Sequence, residues 1–154
     1  MNTALNKLGT PVAFAGLMLL TRFHHFGDSI SLPDASLAIF FLAGLWVGSW
    51  KFFIVLLIEA ALIDYISISQ LSVSDYCISP AYVFLIPTYA CLWVAGRYCI
   101  KYRTIKLAEL SAQFGVLFMA TSAAFIISNG SFYLLSDKFP DLNWVEYSSR
   151  VAQY

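Results

Sequence analysis

Charged residues are scarce in this chain. Aspartate, glutamate, lysine and arginine make up 12% of its 154 residues, whereas about 25% is usual in a soluble domain. The nine basic and nine acidic side chains cancel, so the formal net charge is zero. Surfaces that bind nucleic acid need a local surplus of lysine and arginine. We therefore expect no nucleic acid among the partners.

Cysteines are also few, and the sequence contains no nucleotide-binding motif. Cys77, Cys91 and Cys99 have none of the close spacings typical of zinc sites or disulfide frameworks. A glycine-rich phosphate loop is absent, so any energy from ATP would have to come from a partner. The first apolar run lacks the small-residue cleavage site of a signal peptide, which predicts a retained helix.

Apolar residues are abundant. They account for 60% of the chain, against about 45–50% in a typical soluble domain. The mean hydropathy is +0.73. This composition predicts an integral membrane protein with one transmembrane helical domain over residues 1–154. A helix needs about 20 mostly apolar residues to cross a bilayer, so the chain has room for about five or six spans.

The apolar runs predict five spans and the start of a sixth helix. The spans cover residues 4–23, 35–47, 50–68, 80–100 and 107–127. Pro87 should kink the fourth span, and Asn129-Gly130 should end the fifth. Asn143 should cap a last helix that has Glu146 at its third position. The predicted fold class is therefore an all-α membrane protein, a helical bundle of five spans plus the start of a sixth.

The stretch between the third and fourth spans carries the chemistry. Cys77 precedes a helix start at Ser79-Pro80, where a serine can cap and a proline needs no N–H partner. The positive end of a helix dipole favours a thiolate, which is a metal ligand or a nucleophile. A small buried hydrophobe is the alternative for this cysteine. Asp64 ends the third apolar run, and an acid at membrane depth needs a cavity or a partner.

The distribution of lysine and arginine predicts the orientation in the membrane. With the N-terminus in the cytoplasm, six of the nine basic residues are cytoplasmic: Lys7, Lys51, Arg97, Lys101, Arg103 and Lys106. The outer side then receives Cys77, Asp64, Arg150, Arg22 and most of the acids. We predict a multi-pass protein of a bacterial inner membrane with Cys77 on the periplasmic side.

Several short motifs, taken together and in order, resemble the BtuM family. These are small bacterial membrane proteins that take up cobalamin, related in fold to the S-components of energy-coupling-factor (ECF) vitamin transporters. The motifs are Phe23-His24-His25-Phe26-Gly27, Leu32-Pro33-Asp34-Ala35-Ser36, Phe40-Phe41-Leu42-Ala43-Gly44, Ile63-Asp64-Tyr65 and Asp75-Tyr76-Cys77-Ile78-Ser79-Pro80-Ala81-Tyr82. The resemblance extends from about residue 21 to residue 150, and the sixth helix of the family is only begun.

The resemblance implies a bundle that binds cobalamin in an outward-facing cavity. Cys77 would ligate the cobalt and remove cyanide from cyanocobalamin during transport, so the cobalt would be the metal at this site. Asp64, Tyr82 and Arg150 would line the site, where Asp64 either bonds the ligand's amides or pairs with Arg150. The implied partners are cobalamin, membrane lipid and an ECF energising module. A thiolate is a soft ligand that suits cobalt already held inside a corrin ring.

Two other functions remain open from the residues alone. In the first, the chain is a thiol-dependent membrane enzyme that uses Cys77 as its nucleophile, with Asp64 or a histidine in support. In the second, it is a structural membrane subunit that contacts its neighbours through a face of small residues, Gly9, Ala13 and Gly16. Bound cobalamin would make the purified protein red, whereas both alternatives predict a colourless protein.

Overall fold

A computed structural model describes residues 3–25, 33–71, 79–102, 106–140 and 142–152 of the chain. Within these ranges the chain forms six α-helices and no strand. A π-helical turn, Ala43–Val47, continues the second helix, and a 3₁₀ turn, Pro80–Phe84, leads into the fourth. The α-helices are α1 Thr3–His25, α2 Ser36–Leu42, α3 Trp50–Leu71, α4 Leu85–Cys99, α5 Leu107–Leu135 and α6 Trp144–Val151.

The predicted start of the last helix agrees with the structure, whereas the predicted end of the fifth helix does not. Asn143 caps α6, and its side-chain oxygen accepts a 2.8 Å hydrogen bond from the backbone N–H of Glu146, as predicted. The prediction that Asn129-Gly130 ends the fifth helix is wrong, because α5 continues to Leu135. Tyr133 in this extension is buried, and its ring contacts the ring of Tyr147 of α6 in a tilted arrangement, with 5.2 Å between the ring centres. This packing outweighs the low helix propensity of glycine.

Pro87 also acts differently from the prediction. It lies in the first turn of α4, where a missing N–H leaves no internal helix bond unmade. The backbone adjusts before it instead, through the 3₁₀ turn that begins at Pro80. The hydroxyl of Thr88 donates to the carbonyl of Phe84 at 2.7 Å and ties this turn to α4. The kink expected in mid-helix is therefore a change of helix type at the start of α4.

Helices α2 and α4 pack with their backbones in direct contact. A Cβ atom at Gly44 would overlap the carbonyl group of Trp93, and one at Gly96 would overlap the carbonyl group of Phe41. Around this crossing lies a core in which Phe40 stacks on Tyr89 at 4.2 Å between ring centres. Small residues allow such close approach between helices. The contact holds the polar beginnings of α2 and α4 next to each other.

Two helices of the described part are long and apolar enough to cross a membrane. They are Trp50–Gln70 and Leu107–Leu135, with mean hydropathies of 2.1 and 1.8. Only 28% and 11% of their most apolar windows are buried in the bundle, whereas the core helix of a soluble protein is mostly buried. Their outward faces carry large apolar side chains such as Ile58, Leu62 and Phe118. Exposed apolar faces of this kind mark either a membrane-spanning surface or a contact with another protein.

Candidate functional site

Arg22 lies inside the bundle near the end of α1. Its side chain is 7% exposed, although arginine is almost never buried unless it is paired. The residues around it come from the start of α2, the second half of α3 and the beginning of the fourth helical segment. They are Asp34, Ser36, Asp64, Tyr82 and Tyr89, and with Arg22 we call them the Arg22 cluster.

The strongest contact in the cluster joins Arg22 to Asp64. Nε of the arginine donates to Oδ1 at 2.7 Å, and Nη2 donates to Oδ2 at 2.6 Å. Two parallel bonds between a guanidinium and a carboxylate fix both groups in one plane. The Asp64 side chain is 10% exposed, so this pair is largely out of water.

The remaining arginine nitrogen, Nη1, bonds side chains at the start of α2 and in the first half of α4. Nη1 carries two hydrogens and shares them among three acceptors: Oδ2 of Asp34 at 3.0 Å, the hydroxyl of Ser36 at 3.0 Å and the hydroxyl of Tyr89 at 2.9 Å. Oδ1 of Asp34 accepts from both the backbone N–H and the hydroxyl of Ser36. Asp34 is the more exposed of the two acids, with 29% of its side chain accessible. Two carboxylates thus face one guanidinium, and the second of them retains contact with water.

Asp64 also receives a bond from the other side of the site. The hydroxyl of Tyr82, in the 3₁₀ turn, donates to Oδ2 at 2.7 Å. The carboxylate therefore accepts three hydrogen bonds, two from Arg22 and one from Tyr82. The sequence singled out both Asp64 and Tyr82 as site residues, and the structure brings them together.

Within the residues that the structure describes, the hydroxyls of Ser67 and Ser79 near this end of the bundle have no hydrogen-bond partner. Ser67, fully buried, follows Asp64 by three residues on α3, and Ser79 directly precedes the 3₁₀ turn. Ser79 occupies the position predicted for a cap, but its side chain makes no capping bond. A buried polar group without a partner is costly, so the two hydroxyls destabilise this end of the bundle.

The other predicted site residues lie elsewhere or outside the described ranges. Cys77 falls in 72–78, which the structure does not describe. Arg150 lies on α6, where Nε donates to Glu146 at 3.2 Å and the guanidinium lies 4.1 Å from the centre of the Phe139 ring. The expected alternative in which Asp64 pairs with Arg150 is therefore not what the structure shows. Arg22 is the partner of Asp64, because the C-terminal parts of α1 and α3 reach the same end of the bundle.

Sequence reasoning missed Arg22, Asp34, Ser36 and Tyr89 as members of the site. Arg22 stands near the end of the first apolar run, and an ionisable residue there calls for an opposite charge at the same depth. The position of Arg22 therefore predicts an acidic partner, but it does not identify which acid that partner is. Ser36 and Tyr89 carried no signal of their own, since serine and tyrosine are ordinary residues at helix starts and in apolar helices.

A separate cavity lies between α5 and α6. It encloses about 370 Å³ and is lined mainly by apolar and aromatic side chains, among them Ile126, Tyr133, Trp144 and Tyr147. The hydroxyl of Tyr133 makes two hydrogen bonds with the backbone of Asn143 beside this cavity. It donates to the carbonyl at 3.1 Å and accepts from the N–H at 3.0 Å. Within the part of the chain that the structure describes, no group of three or more His, Cys, Asp or Glu side chains is placed to hold a metal ion.

Comparison of the chain with protein-family models gives no match, and comparison with curated proteins gives no significant match. The assignment of function therefore depends on the residues and on the geometry described above.

Proposed function

We propose that this chain is a cobalamin-binding membrane transporter or receptor of the BtuM type. In this proposal it forms five spans and the start of a sixth in a bacterial inner membrane, with a cytoplasmic N-terminus. The observation that carries it is the bond between Tyr82 and Asp64. Asp64 precedes the 72–78 segment in the sequence and Tyr82 follows it, and the two side chains meet in the Arg22 cluster.

The role of each residue follows from its chemistry. Arg22 holds Asp64 in place, and Tyr82 bonds the same carboxylate, so these three side chains form one fixed unit. Asp64 and Tyr82 supply the polar groups that would bond the amides at the rim of the corrin. Aromatic and apolar contacts supply the rest of the affinity, as in most small-molecule sites.

Cys77 supplies the ligand exchange in this proposal. Its thiolate forms a sulfur–cobalt bond with an electron pair of its own, while cyanide leaves with the pair of the cobalt–carbon bond. The cobalt keeps its oxidation state, and the proton lost from the thiol goes to solvent. Soft thiolate ligands suit such a metal centre better than a hydroxyl does. An ECF module is the partner that would energise transport.

The visible spectrum of bound cyanocobalamin tests this function. Purified wild-type protein should bind cyanocobalamin about one-to-one and shift its spectrum as cyanide leaves. Cys77→Ser replaces the thiol by a hard, protonated hydroxyl of similar size, so the cyano spectrum should persist. Cys91→Ser is the matched control, because the Cys91 thiol lies on α4 and contacts the carbonyl of Ala120 at 3.8 Å. A wild-type protein that gives no saturable change with any cobalamin would end the proposal.

Transport is tested separately. A bacterial strain that requires external cobalamin and lacks its own uptake protein should grow when it carries this gene. Growth that depends on a co-expressed ECF module would assign the energising partner, and growth without one would show that the chain acts alone. Cys77→Ser under the same promoter gives the control for expression without ligand exchange.

A further inference from the structure

A groove runs between α4 and α5 on the side of the bundle away from the Arg22 cluster. It encloses about 640 Å³, and no charged side chain lines it. The groove is lined by small residues, Ala95, Ala112 and Gly115, and by larger side chains, Tyr98, Tyr102 and Met119. A Cβ atom at Gly115 would meet no other atom within 4 Å, so this glycine leaves open space. The groove is therefore a shallow apolar depression over the contact between α4 and α5.

The groove follows the axis of α4. Its lining on α4 extends from Cys91 to Tyr98, seven residues, or roughly 10 Å at 1.5 Å per residue. That is about a third of the roughly 30 Å hydrocarbon core of a bilayer. One end of the groove lies in the middle of α4, and the other lies where α4 ends.

Cations gather where α4 ends. The ammonium group of Lys101 lies 3.5 Å from the centre of the Tyr98 ring and 4.9 Å from that of Tyr102, and both rings also line the groove. Lys106, the N-cap of α5, is exposed nearby in sequence, and Glu109 is the acid in the first turn of that helix. The amide of Gln113 donates to the backbone carbonyl of Tyr102 at 3.0 Å and fixes this corner to α5.

We propose that this groove binds an anionic phospholipid. One acyl chain lies along the groove, and the phosphate contacts Lys101 and Lys106. An apolar groove with Lys101 at its end matches the two parts of such a lipid, which carries hydrocarbon and negative charge in one molecule. Basic pockets between membrane helices on the cytoplasmic side are recognised sites for acidic head groups. The proposal requires the membrane placement given above, but it does not depend on cobalamin binding.

Native mass spectrometry of the detergent-purified protein tests the site. The probes are dioleoylphosphatidylglycerol and dioleoylphosphatidylcholine, which differ in head-group charge but have the same chains. The wild type should retain one phosphatidylglycerol molecule in preference to phosphatidylcholine. Lys101→Gln should reduce this preference about fivefold, the effect expected of one lysine near an anionic head group. Gly115→Leu should fill the groove and abolish retention of both lipids.

Matched controls separate the site from general attraction. Lys51→Gln removes an exposed lysine that does not line the groove, and it should leave the preference unchanged. Gly16→Leu makes the same change as Gly115→Leu on α1, again with open space at the Cβ position, and should retain lipid like the wild type. Glycerol 3-phosphate, which lacks chains, should not displace the lipid at equal concentration. Equal binding of the two lipids, equal effects of the two lysine changes, or displacement by glycerol 3-phosphate would each overturn the proposal.

Discussion

Arg22 and Asp64 are 42 residues apart in the sequence and meet through two hydrogen bonds of 2.7 and 2.6 Å. Both side chains are at least nine-tenths removed from water. Such a pair gains little net stability over an apolar replacement, but the loss of one partner leaves a buried charge uncompensated. The pair therefore fixes the position of α1 relative to α3.

Removal of the arginine charge should be severe. Arg22→Met leaves Asp64 buried without its counter-ion, and we expect a loss of about 3–5 kcal/mol in the free energy of unfolding. The measurement is thermal unfolding in detergent, followed by circular dichroism. Arg150→Met is the matched control, because the Arg150–Glu146 pair is exposed, and such pairs contribute about 0–1 kcal/mol. If the two variants unfold alike, the Arg22 cluster does not hold the bundle together.

The hydroxyl of Tyr82 should matter in a second way. Tyr82→Phe removes one of the three hydrogen bonds to Asp64, and a bond to a charged group contributes about 1.5–3 kcal/mol to stability. If this residue also lines the cobalamin site, the variant should bind cyanocobalamin more weakly in a spectroscopic titration. Tyr65→Phe is the control, since Tyr65 is 70% exposed on the same helix as Asp64. An unchanged affinity in a folded Tyr82→Phe protein would restrict Tyr82 to a structural role.

The crossing of α2 and α4 should not tolerate a single methyl group. Gly44→Ala places a Cβ atom against the backbone carbonyl of Trp93, which no rotation of a side chain can relieve. Overpacking of this kind costs about 1–3 kcal/mol. Gly115→Ala makes the same change where nothing lies within 4 Å, and the higher helix propensity of alanine should leave it as stable as the wild type or more stable. Equal melting temperatures for the two variants would contradict the close contact.

Cysteine labelling can test the proposed orientation. In a chain with Cys91→Ser and Cys99→Ser, Cys77 should react with a membrane-impermeant maleimide added to intact cells whose outer membrane has been made permeable. In a fully cysteine-free chain, Lys106→Cys should react only after the inner membrane is opened, because the basic connection is predicted to be cytoplasmic. The reverse pattern of labelling would mean that the N-terminus lies outside.

The sequence predicted the helices better than it predicted their ends. Long apolar runs mark a helix wherever they occur, so each predicted span has a helical counterpart in the structure. Among the described residues, only α3 and α5 are long and apolar enough to cross a membrane by themselves. The end of α5 depended on the contact of Tyr133 with α6. Local propensity at Gly130 could not show this contact.

Part of the site could also be predicted from the sequence. Asp64 stood out as an acid at the end of an apolar run, Tyr82 was implied by the family resemblance, and both belong to the cluster. The partner of Asp64 could not be read from spacing, since Arg22 and Arg150 are both basic residues on the predicted outer side. Only the packing of α1 beside α3 decides between them, and such packing depends on the shapes of whole helix faces.

The position of Arg22 in the chain has a consequence for biosynthesis. The arginine leaves the ribosome before every side chain that binds it: Asp34 follows after 12 residues, Ser36 after 14, Asp64 after 42 and Tyr89 after 67. In the membrane topology proposed above, an unpaired guanidinium is expensive below the head groups, so the nascent α1 would remain near the water interface at that end until Asp64 of α3 has been made. On that topology α1 reaches its final depth only after α3 has been made.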